Sequence, residues 1–471
     1  MRYTTPLFIG LFFGTVVAWG QLEASLTQKI DSLFVDWTVA DHPGGSIAIM
    51  QGDETTYSKA FGLASLEYQV PNHPETQFNI ASVSKQFTAM AMVVLEERGL
   101  LSIDEDIRTY LTDLPDFGYP ITIRQMLHHT SGLRSLHALL SLAGWRDDDS
   151  RTNADLYRFM LRQRELNFVP GDEYLYCNTG YMLMAEIVER ITKKKFPEWM
   201  ANEIFAPLGM DHSYVEDRYD RVVPNNATSY YDTRDGFFRA VEYWGYVGSG
   251  NMHSTTADLL KWMRNFSAPK AGWESAFERL KTVDPLNDGS NNTYAFGIFV
   301  DDYLGHPRIR HGGSIGGFRA MAVTFPDAAL SIVILTNFSS SGSGKLSRDI
   351  AQLLLDPNPG AETSSPQTPA SSRIYEEPEV SVDLSGVDLK QFAGRFHSPE
   401  LESTFDILFQ DGKLLCHHAR HGDFPVFLID EDVLEMLSYM TMKVIRDSEG
   451  SISGLRISNG RARNVWFEKQ G

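Results

Sequence analysis

Residues 82–98 (SVSKQFTAMAMVVLEER) predict a helix that is apolar nearly all round and stops at Gly99. A helix without a polar stripe cannot rest on a surface, so other elements must wrap it. Its first turn nevertheless carries Ser82 and Lys85, three residues apart and on one face. A serine hydroxyl is a weak nucleophile until a neighbouring base takes its proton. A lysine at the head of a buried helix loses water, which favours the neutral amine, the form able to accept that proton. The helix N-terminus also aims free N–H groups at developing negative charge.

The segments around this helix are of two kinds. Gly45–Met50 and Thr55–Phe61 are β-prone runs joined by Gln51-Gly52-Asp53-Glu54, which predicts a hairpin. Helical patterns fill the middle third, at Ile121–Leu133, Leu156–Leu166, Tyr181–Ile191 and Thr256–Phe266. Strands return at Ile309–Arg310, Ala320–Phe325 and Leu330–Thr336, and Ile350–Leu355 closes a last helix. Two sheet-forming ends bracketing a helical middle predict one α/β domain with a helical insertion over residues 21–355. Asp356–Glu379 holds five prolines among Ser, Thr and Glu, and residues 356–380 read as a linker. Residues 381–471 show short alternating strands with turns at Asp411-Gly412, Glu449-Gly450 and Asn459-Gly460, the pattern of a small antiparallel sheet or barrel.

With 42 Lys and Arg against 61 Asp and Glu, the net charge is −19. That excludes nucleic acid and an anionic membrane surface as expected partners. Residues 1–20 read as a signal peptide: Arg2 precedes the apolar run Leu7–Trp19, and Ala18-Trp19-Gly20 supplies small residues before a cut at Gln21. The run is shorter than the ~20 residues of a membrane span, so a secreted or periplasmic location without a stable membrane anchor is expected. Cys177 and Cys416 fall in different expected domains and read as two free thiols.

Two further motifs suit the chemistry of Ser82. Tyr176-Cys177-Asn178 follows Pro170-Gly171. A phenol can shuttle a proton if nearby cations lower its pKa, and an amide side chain can hold a substrate carbonyl. His311-Gly312-Gly313 ends a predicted short strand. Its glycines let a substrate approach the backbone, and the N–H of Ser314 can complete an oxyanion hole.

Taken together, these residues resemble the serine β-lactamase and penicillin-binding-protein-like family, closest to class C β-lactamases and their peptidase and esterase relatives. The stretches from Ile121, Pro170 (PGDEYLYCNTGYMLM) and Gly248 (GSGNMHSTTADLLKW) resemble it too, and the likeness covers Gln28 to Leu355. The resemblance implies an α/β (α+β) fold, an antiparallel sheet flanked by helices with a helical insertion. It implies Ser82 as acylated nucleophile, Lys85 and Tyr176 as proton carriers and Asn178 as a substrate contact. The N–H groups of Ser82 and Ser314 would form the oxyanion hole, with Gly313 beside it and His311 in the cationic place on the edge strand. The segment from Leu384 resembles the lipocalin-like domain of some peptidase relatives.

His311-Gly312-Gly313 departs from the family's Lys-Thr-Gly. A titratable imidazole replaces a permanent cation, and a hydroxyl for the substrate carboxylate is missing. Carboxylate affinity is therefore expected to be weak near neutral pH, with Arg308, Arg310 and Arg319 as candidates to restore the charge. The expected function is an exported serine hydrolase acting through an acyl-enzyme on a small peptide, amide or ester, cell-wall-derived material included. The alternatives are a β-lactamase proper and a non-catalytic penicillin-binding or sensor protein. No cofactor or metal is expected.

Other motifs are weaker. Gly312-Gly313-Ser314-Ile315-Gly316 matches G-x-S-x-G, but that elbow requires a following helix and the next residues read as strand. Cys416, His417, His418 and His421 cannot all converge, because neighbours on a strand face opposite ways. His128 and His129 read as core and loop histidines.

Overall fold

The computed structural model describes residues 21–356, 384 and 386–471. The expected signal peptide and most of the expected linker lie outside the described residues. The hairpin β1 (Gly45–Gln51) and β2 (Glu54–Phe61) is present, and it joins strands from the far end of the domain. These are β3 (Phe299–Tyr303), β4 (His306–Ile315), β5 (Phe318–Phe325) and β6 (Leu330–Thr336). They form one antiparallel sheet in the order β3-β4-β5-β6-β1-β2.

Both faces of the sheet are covered, and the strands show it. Ile47 and Ile49 of β1, with Ile332 and Ile334 of β6, pack in one cluster with Ile30 and Ile350 from the terminal helices. Ala48 and Met50, with Val333 and Leu335, point the other way into the main core. Burial on alternate sides explains why Leu330–Thr336 is a near-continuous apolar run. The main core holds α1 (Lys85–Glu97), α2 (Asn178–Thr192) and α3 (Thr256–Arg264). Every residue of α1 from Lys85 to Leu95 is buried, as its lack of a polar face demands.

Three local readings are corrected. The expected helix at Ser82 begins as a tight 3-10 turn, Ala81–Ser84, and becomes α-helical at Lys85. Ala81 takes a left-handed φ of 49°, and its N–H donates to Asn79 Oδ1 at 2.9 Å. The helix expected over Ile121–Leu133 covers only Ile123–Leu127, opened by a Thr122–Gln125 capping box; His129, at φ 60°, turns the chain away soon after. His311-Gly312-Gly313 does not end its strand but lies inside β4; β3 lies outside β4 only as far as the Phe299–Arg310 pair, so from His311 on β4 is the edge of the sheet. Gly312–Gly316 therefore leads into a β4–β5 hairpin, not a strand–helix elbow.

Residues from Gly394 form a closed antiparallel barrel. Its strands are β7 (Gly394–Ser398), β8 (Ser403–Gln410), β9 (Lys413–His418), β10 (Gly422–Asp430), β11 (Val433–Met436), β12 (Met440–Arg446), β13 (Ile452–Asn459) and β14 (Ala462–Gln470). Phe396, Ile407, Met442, Ile457 and Phe467 help fill it. Within β9, Cys416 and His418 are buried while His417 pairs with Asp423 at the surface, so the cluster splits across the strand as its alternation requires. Both cysteines are free and buried. Among the described residues, no helix is long and apolar enough to cross a membrane.

The barrel is latched to the first domain through Arg134, whose side chain is fully buried. Its guanidinium donates to Glu400 at 2.8 Å and to the carbonyl oxygens of Arg463 and Asn464. Ser135 N–H donates to the carbonyl of Arg461 at 2.9 Å.

Candidate active site

The turn before α1 sets the nucleophile. Ile80 N–H donates to Met252 O and Val83 N–H to Ile80 O, which fixes Ser82 at the helix head. Lys85 lies one turn on and is entirely buried. Its Nζ donates to the carbonyl of Ser249 at 2.6 Å and sits 3.2 Å from Ser82 Oγ. Burial first, then the nearby Arg461 guanidinium, push its pKa well below the usual lysine value, with Cys177 opposing. A neutral amine in contact with a serine hydroxyl has a lone pair able to accept that proton. The segment that grips Lys85 also grips α1, because Thr88 Oγ1 donates to Gly248 O at 2.7 Å.

Tyr176 reaches the same point from the loop ahead of α2. Lys85 Nζ lies 4.8 Å from its ring centroid. Among the described residues, neither the buried Tyr176 hydroxyl nor Asn178 Oδ1 at the start of α2 makes a hydrogen bond of good geometry, although Ser82 stands close enough to the phenol to act on it. Orphaned buried polar atoms are costly, and two together in one cleft mark places where another molecule's polar groups belong. Burial raises the phenol pKa, and the Ser82 hydroxyl pulls against it. The phenol is thus protonated at rest. The Arg461 field does act to lower it, as a nearby cation can, but desolvation outweighs that field.

The third wall is β4. His311 is only 3% exposed. Its Nδ1 contacts the Gly312 carbonyl at 2.6 Å, and its Nε2 lies 3.0 Å from the Tyr294 hydroxyl. Burial above all, with Lys85 and Arg310 nearby, takes its pKa down to about 3. It is a neutral ring across the working range, so the expected cationic role is corrected. Gly313 passes so close to the nucleophile turn that a Cβ there would stand 3.0 Å from Ala81 Cβ and inside contact with the Ile80 carbonyl. The Gly316-Gly317 turn makes Ile315 and Phe318 the closing pair of the hairpin. By alternation Gly313 also bonds toward β5, so the N–H of Ser314 faces the opposite side. There β3 has already ended at the Phe299–Arg310 pair, which leaves that N–H open to the cleft.

Ser82, Tyr176, Asn178, His311, Gly313 and Ser314 line one cavity of about 1690 Å³, with Lys85 directly beneath Ser82. All seven residues expected from the sequence are thus brought together. Four contributors were not anticipated. Ser249 holds the lysine, and Tyr294 holds His311. His129 stacks on Tyr176 at 4.2 Å while its Nδ1 accepts from Cys177 N–H at 3.0 Å. Arg461 enters from the barrel, its guanidinium carbon 4.9 Å from the Tyr176 ring centroid. Only the Asn459-Gly460 turn signal hinted at a hairpin tip there, and nothing in the sequence said where it points.

A serine at a helix head with a buried lysine base, a tyrosine and an open strand N–H, on an antiparallel sheet walled by helices, defines a β-lactamase/transpeptidase-like architecture. The chain belongs to the beta-lactamase family, whose model matches residues 34–356. It is similar to a D-aminopeptidase of Brucella ovis, 28% identical over 303 residues, covering 64% of this chain and 57% of that protein. A D-aminopeptidase of Gluconobacter oxydans is 27% identical over 342 residues, covering 72% of this chain and 64% of that protein. Among solved structures, the octameric penicillin-binding protein homologue from Pyrococcus abyssi matches with a TM-score of 0.63 at 22% identity, over 95% of this chain and 99% of that one, so the likeness in fold includes the barrel. The D-amino acid amidase from Ochrobactrum anthropi matches with a TM-score of 0.60 at 24% identity, over 71% of this chain and 99% of that one.

Proposed function

We propose that the protein is a serine hydrolase that forms an acyl-enzyme at Ser82 and acts on a small peptide, amide or ester of D-configured type. One observation carries this reading: the fully buried Lys85 amine, depressed in pKa, stands 3.2 Å from Ser82 Oγ. Ser82 attacks the substrate carbonyl and Lys85 takes its proton. The carbonyl oxygen becomes an oxyanion held by the N–H groups of Ser82 and Ser314. The proton passes to the leaving atom through Tyr176, whose hydroxyl stands beside Ser82. Asn178 Oδ1, unpartnered among the described residues, accepts from a substrate amide N–H. Water then repeats the sequence and frees the acid. The D-aminopeptidase relatives and the D-amino acid amidase support the substrate class. The signal-like residues 1–20 support export, which N-terminal sequencing of secreted protein beginning at Gln21 tests.

The test is a fluorophosphonate label mapped by peptide mass. Wild type and Ser314→Ala should label at Ser82, and Ser82→Ala should not. Label lost in Ser314→Ala but kept in Ser82→Ala would assign the nucleophile elsewhere and end this reading. A panel of D-amino-acid amides, D-Ala-D-Ala peptides, p-nitrophenyl esters and nitrocefin then ranks substrates.

A further inference from the structure

The barrel reaches the serine. Strands β13 and β14 meet in a two-residue turn, Gly460-Arg461, closed by the Asn459–Ala462 pair. Gly460 supplies the left-handed φ of 48° that the turn needs. The turn is seated by backbone: the Arg461 carbonyl accepts from Ser135 N–H at 2.9 Å and from Asn167 Nδ2 at 3.1 Å. The Arg461 side chain is left to extend into the cleft that holds Ser82, over the ring of Tyr176.

Its charge is unspent. Arg146, Arg151 and Arg310 also line the cleft, but Asp148, Asp147 and Asp301 pair with them. Arg239, on the far hairpin, like Arg461 makes no ion pair among the described residues, and its field falls on Glu67. Arg461 has no ion pair among the described residues, yet its field is felt by Lys85, Tyr174 and Tyr176. The strand offers no substitute. His311 is neutral, Arg308 shares Asp301 with Arg310, and Arg319 donates to the carbonyls of Gly316 and Phe318. A guanidinium with no carboxylate partner beside a buried lysine opposes the base's protonation. An anion on the substrate accounts for its place.

We propose that Arg461 is a substrate-binding residue supplied by the barrel, and that it receives a carboxylate carried by the leaving group. The side follows from Tyr176: the guanidinium stacks on the ring whose hydroxyl serves the leaving atom, so its ligand belongs to the departing fragment. A planar guanidinium holds a carboxylate by paired N–H bonds. The preferred substrate is then an acylated dipeptide with a free C-terminal carboxylate, and a substrate ammonium is disfavoured at this position. This assignment rests on Ser82 chemistry, and its test is separable from that of the nucleophile.

The test is calorimetric binding of N-acetyl-D-alanyl-D-alanine and its C-terminal carboxamide to Ser82→Ala protein, which cannot turn them over. The acid should bind about tenfold or more tightly than the amide, the scale of a charge-assisted bond, and the gap should narrow with added salt. In Ser82→Ala/Arg461→Gln the gap should close. Arg463→Gln, which removes the neighbouring ion pair with Glu173, should keep it and so control for barrel seating. Equal affinities in the parent protein, an unchanged gap in the Arg461→Gln protein, or no binding by either ligand would overturn the assignment. If wild type still labels at Ser82 in that event, the carboxylate site alone has failed. If it does not label, the hydrolase reading has failed.

Discussion

Replacing Gly313 by alanine should cripple the site without unfolding the protein. The added Cβ would stand 3.0 Å from Ala81 Cβ and 3.2 Å from the Ile80 carbonyl carbon. Apolar carbons rest at about 3.5–4.0 Å, so strand and turn must part by roughly 0.5–1 Å. Neither yields easily. β4 is registered on β5 from Ile309 to Ile315, and the turn is tied by Ile80 N–H to Met252 O. The displacement therefore appears between the Ser314 N–H and Ser82, the two sides of the oxyanion site. A misplacement near 1 Å costs about 10²-fold in rate, equivalent to about 2.7 kcal/mol of barrier, with about 1–3 kcal/mol of overpacking on stability. Gly312 provides the control, because a Cβ there meets the flexible Met321 Cε at 3.2 Å and the Ala320 carbonyl at an ordinary 3.8 Å. The assay is kcat/KM for a p-nitrophenyl ester alongside thermal unfolding. Gly313→Ala should lose about 10²-fold and Gly312→Ala less than about threefold. Equal losses in the two variants, or near-full activity in Gly313→Ala, would refute the argument that close approach of β4 to the nucleophile turn builds the site.

Lys85→Ala and Tyr176→Phe should each lower acylation by about 10²-fold or more, and the double variant should lose little beyond the worse single; additive losses in burst kinetics would separate the two into independent roles. Glu242, beside the Gly316-Gly317 turn with Ser229 Oγ donating to it at 3.0 Å, has a carboxyl that burial pushes up to about 8. The folded state then keeps a proton that the unfolded chain releases above about pH 4.5. Stability is therefore fullest below that pH and falls as pH rises toward 8, by up to about 1.4 kcal/mol per unit; denaturation midpoints of Glu242→Gln should lack this slope. Arg134→Met should cost about 3–5 kcal/mol, because Glu400 is left buried and unpaired. Arg134→Met/Glu400→Leu should recover part of that in urea unfolding, and a double variant no better than the single would contradict the latch.

Local periodicity was enough for most elements, because burial on a helix or strand leaves its mark every 3.6 or 2 residues. The all-apolar α1, the β1–β2 hairpin and the run at β6 were legible for that reason, and so was the split of Cys416 from His417. Ser82 and Lys85 were legible as a pair because helical spacing alone makes them neighbours. Tyr176 and Asn178 lie nearly a hundred residues from Ser82 and Ser314 more than two hundred; their motifs identified them, while only folding could bring them to the serine. What the tertiary structure decided is the charge state of the site. His311 reads as a cation by residue type, but burial beside Lys85 and Tyr294 leaves it neutral. Tyr176 reads as a phenol awaiting cations, but desolvation dominates. A cation with no ion pair among the described residues reaches the cleft as Arg461, from another domain, through a turn that sequence marks only as a turn. Residue type sets what a side chain can do. Its surroundings set its pKa and its partners, and those are assembled by contacts between segments far apart in the chain, which no local pattern records.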